Sequence, residues 1–371
     1  MGVLKKVSLF LIIASVGMLA VASYRYAKRS GLFFDYPEAQ YLTEEEAAVR
    51  PVYSGLNKPE QAVYTALYRG MTDVQDKIPL PADMDGDVYS RVYQIVEKQE
   101  PEFFYLDSIY YTADRVREAE IVYRDLSGID DRKAALESAV ERACSGMPSG
   151  GDYDKVYYIN EYLAKICSYT TGRDSDGYES TAYGCLVEGL ANCEGYAKAF
   201  RLLASRAGVE SAVVIGITSK GENHAWAQVK VGGEWYNTDP TWDDSDDGEN
   251  EVRMMYFLCD DKDFSRTHTV DESLFKPFRC TSNKDNYFVR NGLYIDENTD
   301  PREILSRELS GGSMAVDLKF ASQELYDGFK SRFIDGEEIF EVARDTGRFT
   351  ASSLSLTLVE SEEELCLTIK F

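Results

Sequence analysis

Gly232-Gly233 restricts the fold more than any other pair of residues, because it stands between two β-forming runs, His224 to Val231 and Glu234 to Thr238. Two glycines in that setting specify an antiparallel hairpin, since the tight turn whose twist matches the strands needs residues that accept positive φ. With these two as the loop, the numbers of opposed residues total 465, so Asp239 stands opposite Trp226. His224, two residues from Trp226, shares its face and lies diagonal to Asp239, with Cα atoms roughly 7 to 8 Å apart. An imidazole and a carboxylate can meet across that diagonal. The carboxylate then fixes the ring tautomer through one nitrogen and leaves the other free to accept a proton. A β-bulge would shift this register.

Only His224 and His268 supply imidazoles in the 371 residues, so a catalytic imidazole has few addresses. His268 has no neighbouring partner signal and is expected to be structural or exposed. Upstream, Asn192-Cys193-Glu194-Gly195-Tyr196 opens a helix expected over Cys193 to Ala207, with Tyr196, Ala199, Phe200 and Leu203 on its apolar face and Gly208 as its stop. Unsatisfied N–H groups and the macrodipole at a helix start favour a thiolate over a thiol, and a glycine at 195 leaves the backbone open to a substrate. Cys193 activated by His224, itself oriented by Asp239, is an arrangement for attack on an amide carbonyl, with the Cys193 N–H available to the developing oxyanion.

The length admits two or three domains. Residues 1–30 read as a signal peptide or an N-terminal membrane anchor: Lys5 and Lys6 precede an apolar run from Val7 to Ala22, and Ala20-Val21-Ala22 fits a cleavage site. That run of 16 residues is short for a bilayer, whereas Arg25, Lys28 and Arg29 behind it hinder translocation and keep an uncleaved anchor open. An extracytoplasmic location follows in either case, secreted or anchored through residues 7–22.

Residues 40–150 read as a mainly helical region. Asn57 caps one helix, Val88 to Val96 mark a second and Asp131 to Cys144 a third, while Ser108 to Thr112 and Glu120 to Tyr123 suggest short strands. Residues 151–280 hold a helix striped by Val156, Ile159, Leu163 and Ile166, the Cys193 helix, a strand over Ala212 to Ile217, and the hairpin. Residues 281–371 read as a small α+β region: a strand over Tyr287 to Ile295, a helix over Pro301 to Leu309, a strand over Met314 to Phe320, and a terminal hairpin pairing Leu354 to Leu358 with Leu365 to Phe371.

Three blocks, Asn192 to Ala197, His224-Ala225-Trp226 and Trp235 to Asp243, stand in an order and at a spacing that resemble the transglutaminase-like superfamily, which shares a papain-like core with cysteine proteases. The resemblance covers residues 153–245 and is similar in type to exported bacterial members. It implies an α+β fold in which the cysteine-bearing helix packs on an antiparallel sheet. It also implies Cys193 as nucleophile, His224 as general base and acid, and Asp239 as orienting carboxylate. Tyr183 is a candidate for the upstream group that completes the oxyanion hole. Trp226 is a candidate for lining the substrate cleft, although Trp226, Trp235 and Trp242 are more simply read as packing the hairpin against the helix.

The remaining features exclude more than they assign. A net charge of −24 repels a phosphate backbone and excludes nucleic acid as a general partner. Asp243 to Gly248 begins like a calcium loop, yet position twelve is Met254, so a solvated acidic loop is expected. The seven cysteines form no C-x-x-C pair, and no metal or cofactor is expected. The function expected is thiol acyl transfer on amide bonds of a peptide, protein or cell-wall substrate, with hydrolysis favoured over crosslinking. The alternative is a non-catalytic binding or scaffolding module at the cell surface.

Overall fold

The computed structural model describes residues 15–27, 35–172, 177–244, 252–347 and 355–371. The first half of the apolar run at 7–22 lies outside the described residues; residues 15–27 form an exposed helix. Among the described residues no helix is long and apolar enough to cross a membrane.

The chain divides into two compact units. The first takes residues up to 41, 57–93 and 107–122. In it, Asn57 accepts from the Glu60 N–H and Glu60 answers at the Asn57 N–H, a capping box that starts helix α1 (Lys58–Thr72). Its buried Val63, Leu67 and Met71 form a stripe at helical spacing that packs beside strand β1 (Lys77–Asp85), where Ile78 and Leu80 are inside. Strand β1 pairs antiparallel with β2 (Arg115–Glu120). Pro79 and Pro81 argue against a strand here. Pro81 falls where the register shifts between Pro79 and Met84, outside the regular ladder, while Pro79 stays paired opposite Glu118. The strands expected at 108–112 and 120–123 are not formed: Tyr110 stacks on Tyr93 at 4.9 Å, and pairing ends at Glu120 apart from an isolated bridge between Leu106 and Tyr123. Helix α2 (Gly86–Gln99) has residues in both units.

The second unit takes residues 42–56, 94–106 and 123–371. Helices α3 (Ile129–Ser145) and α4 (Asp152–Ile166) lead to α5 (Cys193–Arg206), followed by β3 (Ser211–Thr218), β4 (Asn223–Val231) and β5 (Glu234–Thr238). Strand β6 (His268–Val270) completes an antiparallel sheet of order β5-β4-β3-β6. Gly232 and Gly233 both take positive φ, 57° and 89°, and Ala227 pairs with Thr238, so the hairpin holds the register its two-residue loop implies.

Helix α5 is buried on nearly every side. Tyr196, Ala199, Phe200 and Leu203 are inside, and so are Lys198 and Arg201. A stripe alone would leave one face wet. Ala197 packs on Val213 and Ala225, placing α5 on one face of the sheet. Because side chains alternate along β4, Trp226 lies on the opposite face, against Val214, Tyr256 and Phe264. Trp226 therefore packs the sheet against the 254–264 segment, not against the helix as expected from sequence.

The C-terminal part of this unit has its own sheet, of order β9-β10-β8-β7: β7 (Tyr294–Ile295), β8 (Ala315–Phe320), β9 (Thr357–Ser361) and β10 (Cys366–Lys370). Helices α6 (Pro301–Gly311), α7 (Gln323–Phe329) and α8 (Glu338–Asp345) share its core, centred on Leu305, Leu318, Phe320 and Ile339. The strand expected over 287–295 is instead a short helix, Tyr287–Arg290, capped by Asn286, and then the two residues of β7 after Gly292 at φ 65°. The terminal hairpin begins at Thr357, later than expected; Leu354 of the expected strand lies outside the described residues.

Candidate active site

Asn192 sets the start of α5. Its backbone is extended, and its side-chain oxygen accepts from the N–H groups of Glu194 and Gly195 at 3.0 and 3.2 Å. Its amide nitrogen donates to Ser180 Oγ at 2.7 Å, tying the cap to the preceding loop. The cap leaves the Cys193 N–H unclaimed among the described residues, so this donor at the positive end of a helix is available to an anion. Cys193 itself is half-buried beside Ala197, Val213 and Ala225.

Next in sequence to the cysteine, Glu194 joins a half-buried ion cluster. Lys98 and Lys198 approach Glu194 at 2.6 and 2.8 Å, and Lys198 also reaches Glu97 at 2.6 Å. Burial works against ionisation of Glu194, but the two lysines outweigh it and hold its carboxyl at about 2. The first turn of α5 is thus pinned by charge as well as by its cap. Gly195 has a different role from the open backbone expected of it: it is buried, and a Cβ there would lie 2.3 Å from the Glu179 carbonyl and 2.8 Å from Ala191 Cβ. It allows the 179–191 segment to approach the helix, not a substrate.

On the other side of the cysteine, His224 Nε2 and Asp239 Oδ2 are 2.6 Å apart, with Asp239 fully buried and His224 only 7% exposed. Asp239 falls just past β5 and caps the short helix Pro240–Asp243, its Oδ1 accepting from the N–H groups of Thr241 and Trp242 at 2.9 and 3.4 Å. Burial opposes the charge on Asp239, yet His224 and the hydrogen bonds prevail and hold its carboxyl well below the usual carboxylate range. Burial likewise opposes protonation of His224. The Asp239 carboxylate, assisted by the nearby Cys193 thiol, overcomes that and lifts the imidazole to about 10. With Nε2 engaged by Asp239, Nδ1 is the nitrogen left to exchange a proton with the thiol. Half-buried Trp242 covers the imidazole, its ring centre 5.2 Å away.

His268, expected to be structural or exposed without a partner, is buried and reaches the same carboxylate: its Nε2 lies 3.3 Å from Asp239 Oδ2. The signal missed was the β-branched run around it, Thr267 to Val270, which forms edge strand β6. His224, Asp239 and His268 are the cluster of potential metal ligands among the described residues, their atoms within 4.8 Å of one another. Two ligands of a tetrahedral metal at ~2.0 Å would stand about 3.3 Å apart. The 2.6 Å between His224 and Asp239 is instead the length of a charge-assisted hydrogen bond, so that pair is spaced to share a proton.

The weaker candidates fare differently. Trp226 is fully buried and donates its indole N–H to Asn237 Oδ1 at 3.2 Å, so it offers no surface to a substrate. Tyr183 is buried with its ring stacked on Phe104 at 4.8 Å and beside Tyr178. Asp243, expected in a solvated loop, is buried: it accepts from the Tyr256 N–H at 2.9 Å and from Asn160 at 3.0 Å, and burial pushes its carboxyl well up. Residues 245–251 of that loop lie outside the described residues. All seven cysteines are free thiols.

The sheet, the buried helix and the capped cysteine agree with what known proteins say of this stretch. Residues 145–240 match the transglutaminase-like superfamily. The match covers about a quarter of the chain and includes Cys193, His224 and Asp239. No curated protein sequence matches the chain. Among solved structures, it is similar to a protein from Cytophaga hutchinsonii described provisionally as a cysteine protease, with 18% identity over 29% of this chain and 37% of that one and a TM-score of 0.26. A TGase is similar at 17% identity over 37% of this chain and 43% of that one, TM-score 0.25. Menin is similar at 14% identity over 79% and 62%, TM-score 0.26. The chain thus spans less than two thirds of each of these proteins. The fold is α+β, with the transglutaminase-like core formed by α5 on its antiparallel sheet, helical residues before it and a small α+β part after it.

Proposed function

We propose that this protein is an exported thiol acyltransferase acting on amide bonds of peptides or proteins, cell-wall peptides included, and that its usual acceptor is water. The observation that carries this reading is the buried 2.6 Å pair of His224 and Asp239 beside the thiol of Cys193 at a helix start. Cys193 has already passed its Sγ proton to His224 Nδ1, which holds it as an imidazolium beside Asp239, and the sulfur bonds to the substrate carbonyl carbon while the carbonyl π pair moves to oxygen. The resulting oxyanion is met by the Cys193 N–H. When that pair returns, the C–N bond breaks and His224 delivers the proton to the departing amine, leaving a thioester. Water then attacks, giving its proton to His224, and the C–S bond breaks to return the thiol and release the acid. Asp239 holds the imidazole in the tautomer and orientation that both proton transfers use.

Hydrolysis is preferred over crosslinking because nothing in the sequence marks a site for an acceptor amine. Export rests on the apolar run at 7–22 with its Ala20-Val21-Ala22 site. The test is alkylation of the folded protein by iodoacetamide at neutral pH, with the modified residue mapped by mass spectrometry. Cys193 should react first, and loss of peptide hydrolysis should track its modification. Full hydrolytic activity in Cys193→Ala, or equal slow labelling of all seven cysteines, overturns the reading.

A further inference from the structure

We propose that His268 is a positioning residue for the site: it donates its Nε2–H to the same oxygen of Asp239 that binds His224, and so fixes the carboxylate that orients the reacting imidazole. This rests on the assignment of Cys193, His224 and Asp239 above, and extends it to an imidazole outside the matched core, 29 residues beyond the carboxylate.

The geometry is that of a built contact. Asp239 Oδ2 faces His224 Nε2 at 2.6 Å and His268 Nε2 at 3.3 Å, while Oδ1 faces two backbone N–H groups. An ionised carboxylate can only accept, so the nitrogen that His268 turns toward it carries the hydrogen. At the far side of the ring, Nδ1 and Thr267 Oγ1 are 2.8 Å apart, which fixes the ring's rotation about its own axis. Phe264 stacks on the imidazole at 4.0 Å and 25°, and Trp242 lies 4.6 Å from it. His268 is 3% exposed, and it reaches the cluster only because β6 joins β3 at Thr218. Without this second donor, Oδ2 has one partner, and the carboxylate is held only through Oδ1 and His224, which loosens the alignment of the imidazole with the thiol.

A core histidine that merely filled space would not need its Nε2–H. Two variants separate these roles: His268→Gln offers an amide N–H to Asp239, and His268→Phe keeps an aromatic ring on Phe264 but no donor. Labelling with ¹⁵N-histidine yields signals from two imidazoles only, assigned by His268→Gln. The expected result is that His268 Nε2 carries hydrogen in the wild type at neutral pH. Iodoacetamide should modify Cys193 about tenfold more slowly in His268→Phe, and within about threefold of the wild-type rate in His268→Gln. A bare Nε2 in the wild type, a wild-type rate in His268→Phe, or a Gln variant as slow as the Phe variant overturns the proposal. Should His268→Phe fail to fold, the nitrogen spectrum of the wild type decides alone. Preferential labelling of a cysteine other than Cys193 would instead defeat the nucleophile assignment, and would leave the nitrogen result standing.

Discussion

Replacing Asp239 by Asn preserves the shape of the side chain and the oxygen that caps Pro240–Asp243, and removes the charge that holds the proton on His224, putting an amide N–H group where Oδ2 accepted. In the wild type that proton is retained to about 10 against an ordinary value of 6.5. The difference corresponds to about 5 kcal/mol favouring the charged imidazole in the folded protein. It is counted once, since the depression of Asp239 reflects the same contact. In Asp239→Asn, burial is opposed only by the nearby Cys193 thiol, so His224 should titrate well below its wild-type value. The folded value is the raised one, so the stabilisation is complete below pH 6.5 and is lost as pH rises through about 10. Urea unfolding should therefore find the variant less stable by about 5 kcal/mol at pH 6, with the gap narrowing at pH 8 and closing near pH 10. A domain of ordinary stability, about 5–15 kcal/mol, can remain folded through such a loss. Hydrolysis at neutral pH should fall about 10²- to 10⁴-fold. A stability gap that does not change with pH, or a wild-type His224 resonance that titrates near 6.5, would refute the account.

Gly195→Ala places a Cβ 2.3 Å from the Glu179 carbonyl, so the 179–191 segment must move; a loss of about 1–3 kcal/mol in urea unfolding is expected, together with slower labelling of Cys193. Asn192→Ala removes the acceptor shared by the Glu194 and Gly195 N–H groups and should cost about 1 kcal/mol, read in the same assay. Asp243→Asn removes a buried carboxyl whose ionisation the fold opposes. Wild-type stability should decline as pH rises above the usual carboxylate range, and the variant should not show that component; a parallel decline in both would contradict it.

The parts of this site that lie close in sequence were legible, because local chemistry settles them. Asn192 announces the start of α5, and Gly232-Gly233 fixes which residues of β4 and β5 oppose each other. The parts that depend on distant pairing were not. His268 meets Asp239 only because Thr218 of β3 pairs with it, 50 residues away in the chain, and no local periodicity reports that. Strand β1 was hidden by Pro79 and Pro81, the second of which falls in the register shift. The burial of Gly195, Trp226 and Asp243 likewise arises from segments that only the folded chain brings against them: 179–191 for Gly195, 254–264 for Trp226, and α4 with Tyr256 for Asp243.

The hairpin register has a consequence for how this chain can change. Since side chains alternate along a strand, the loop at Gly232-Gly233 acts as a counter: adding or deleting one residue there shifts Asp239 by one position against His224 and turns it to the other face of the sheet. Substitutions in that turn would strain it, but a single inserted codon would misalign the carboxylate with every side chain of the site intact. Length in this turn, more than its composition, is what a viable variant has to conserve.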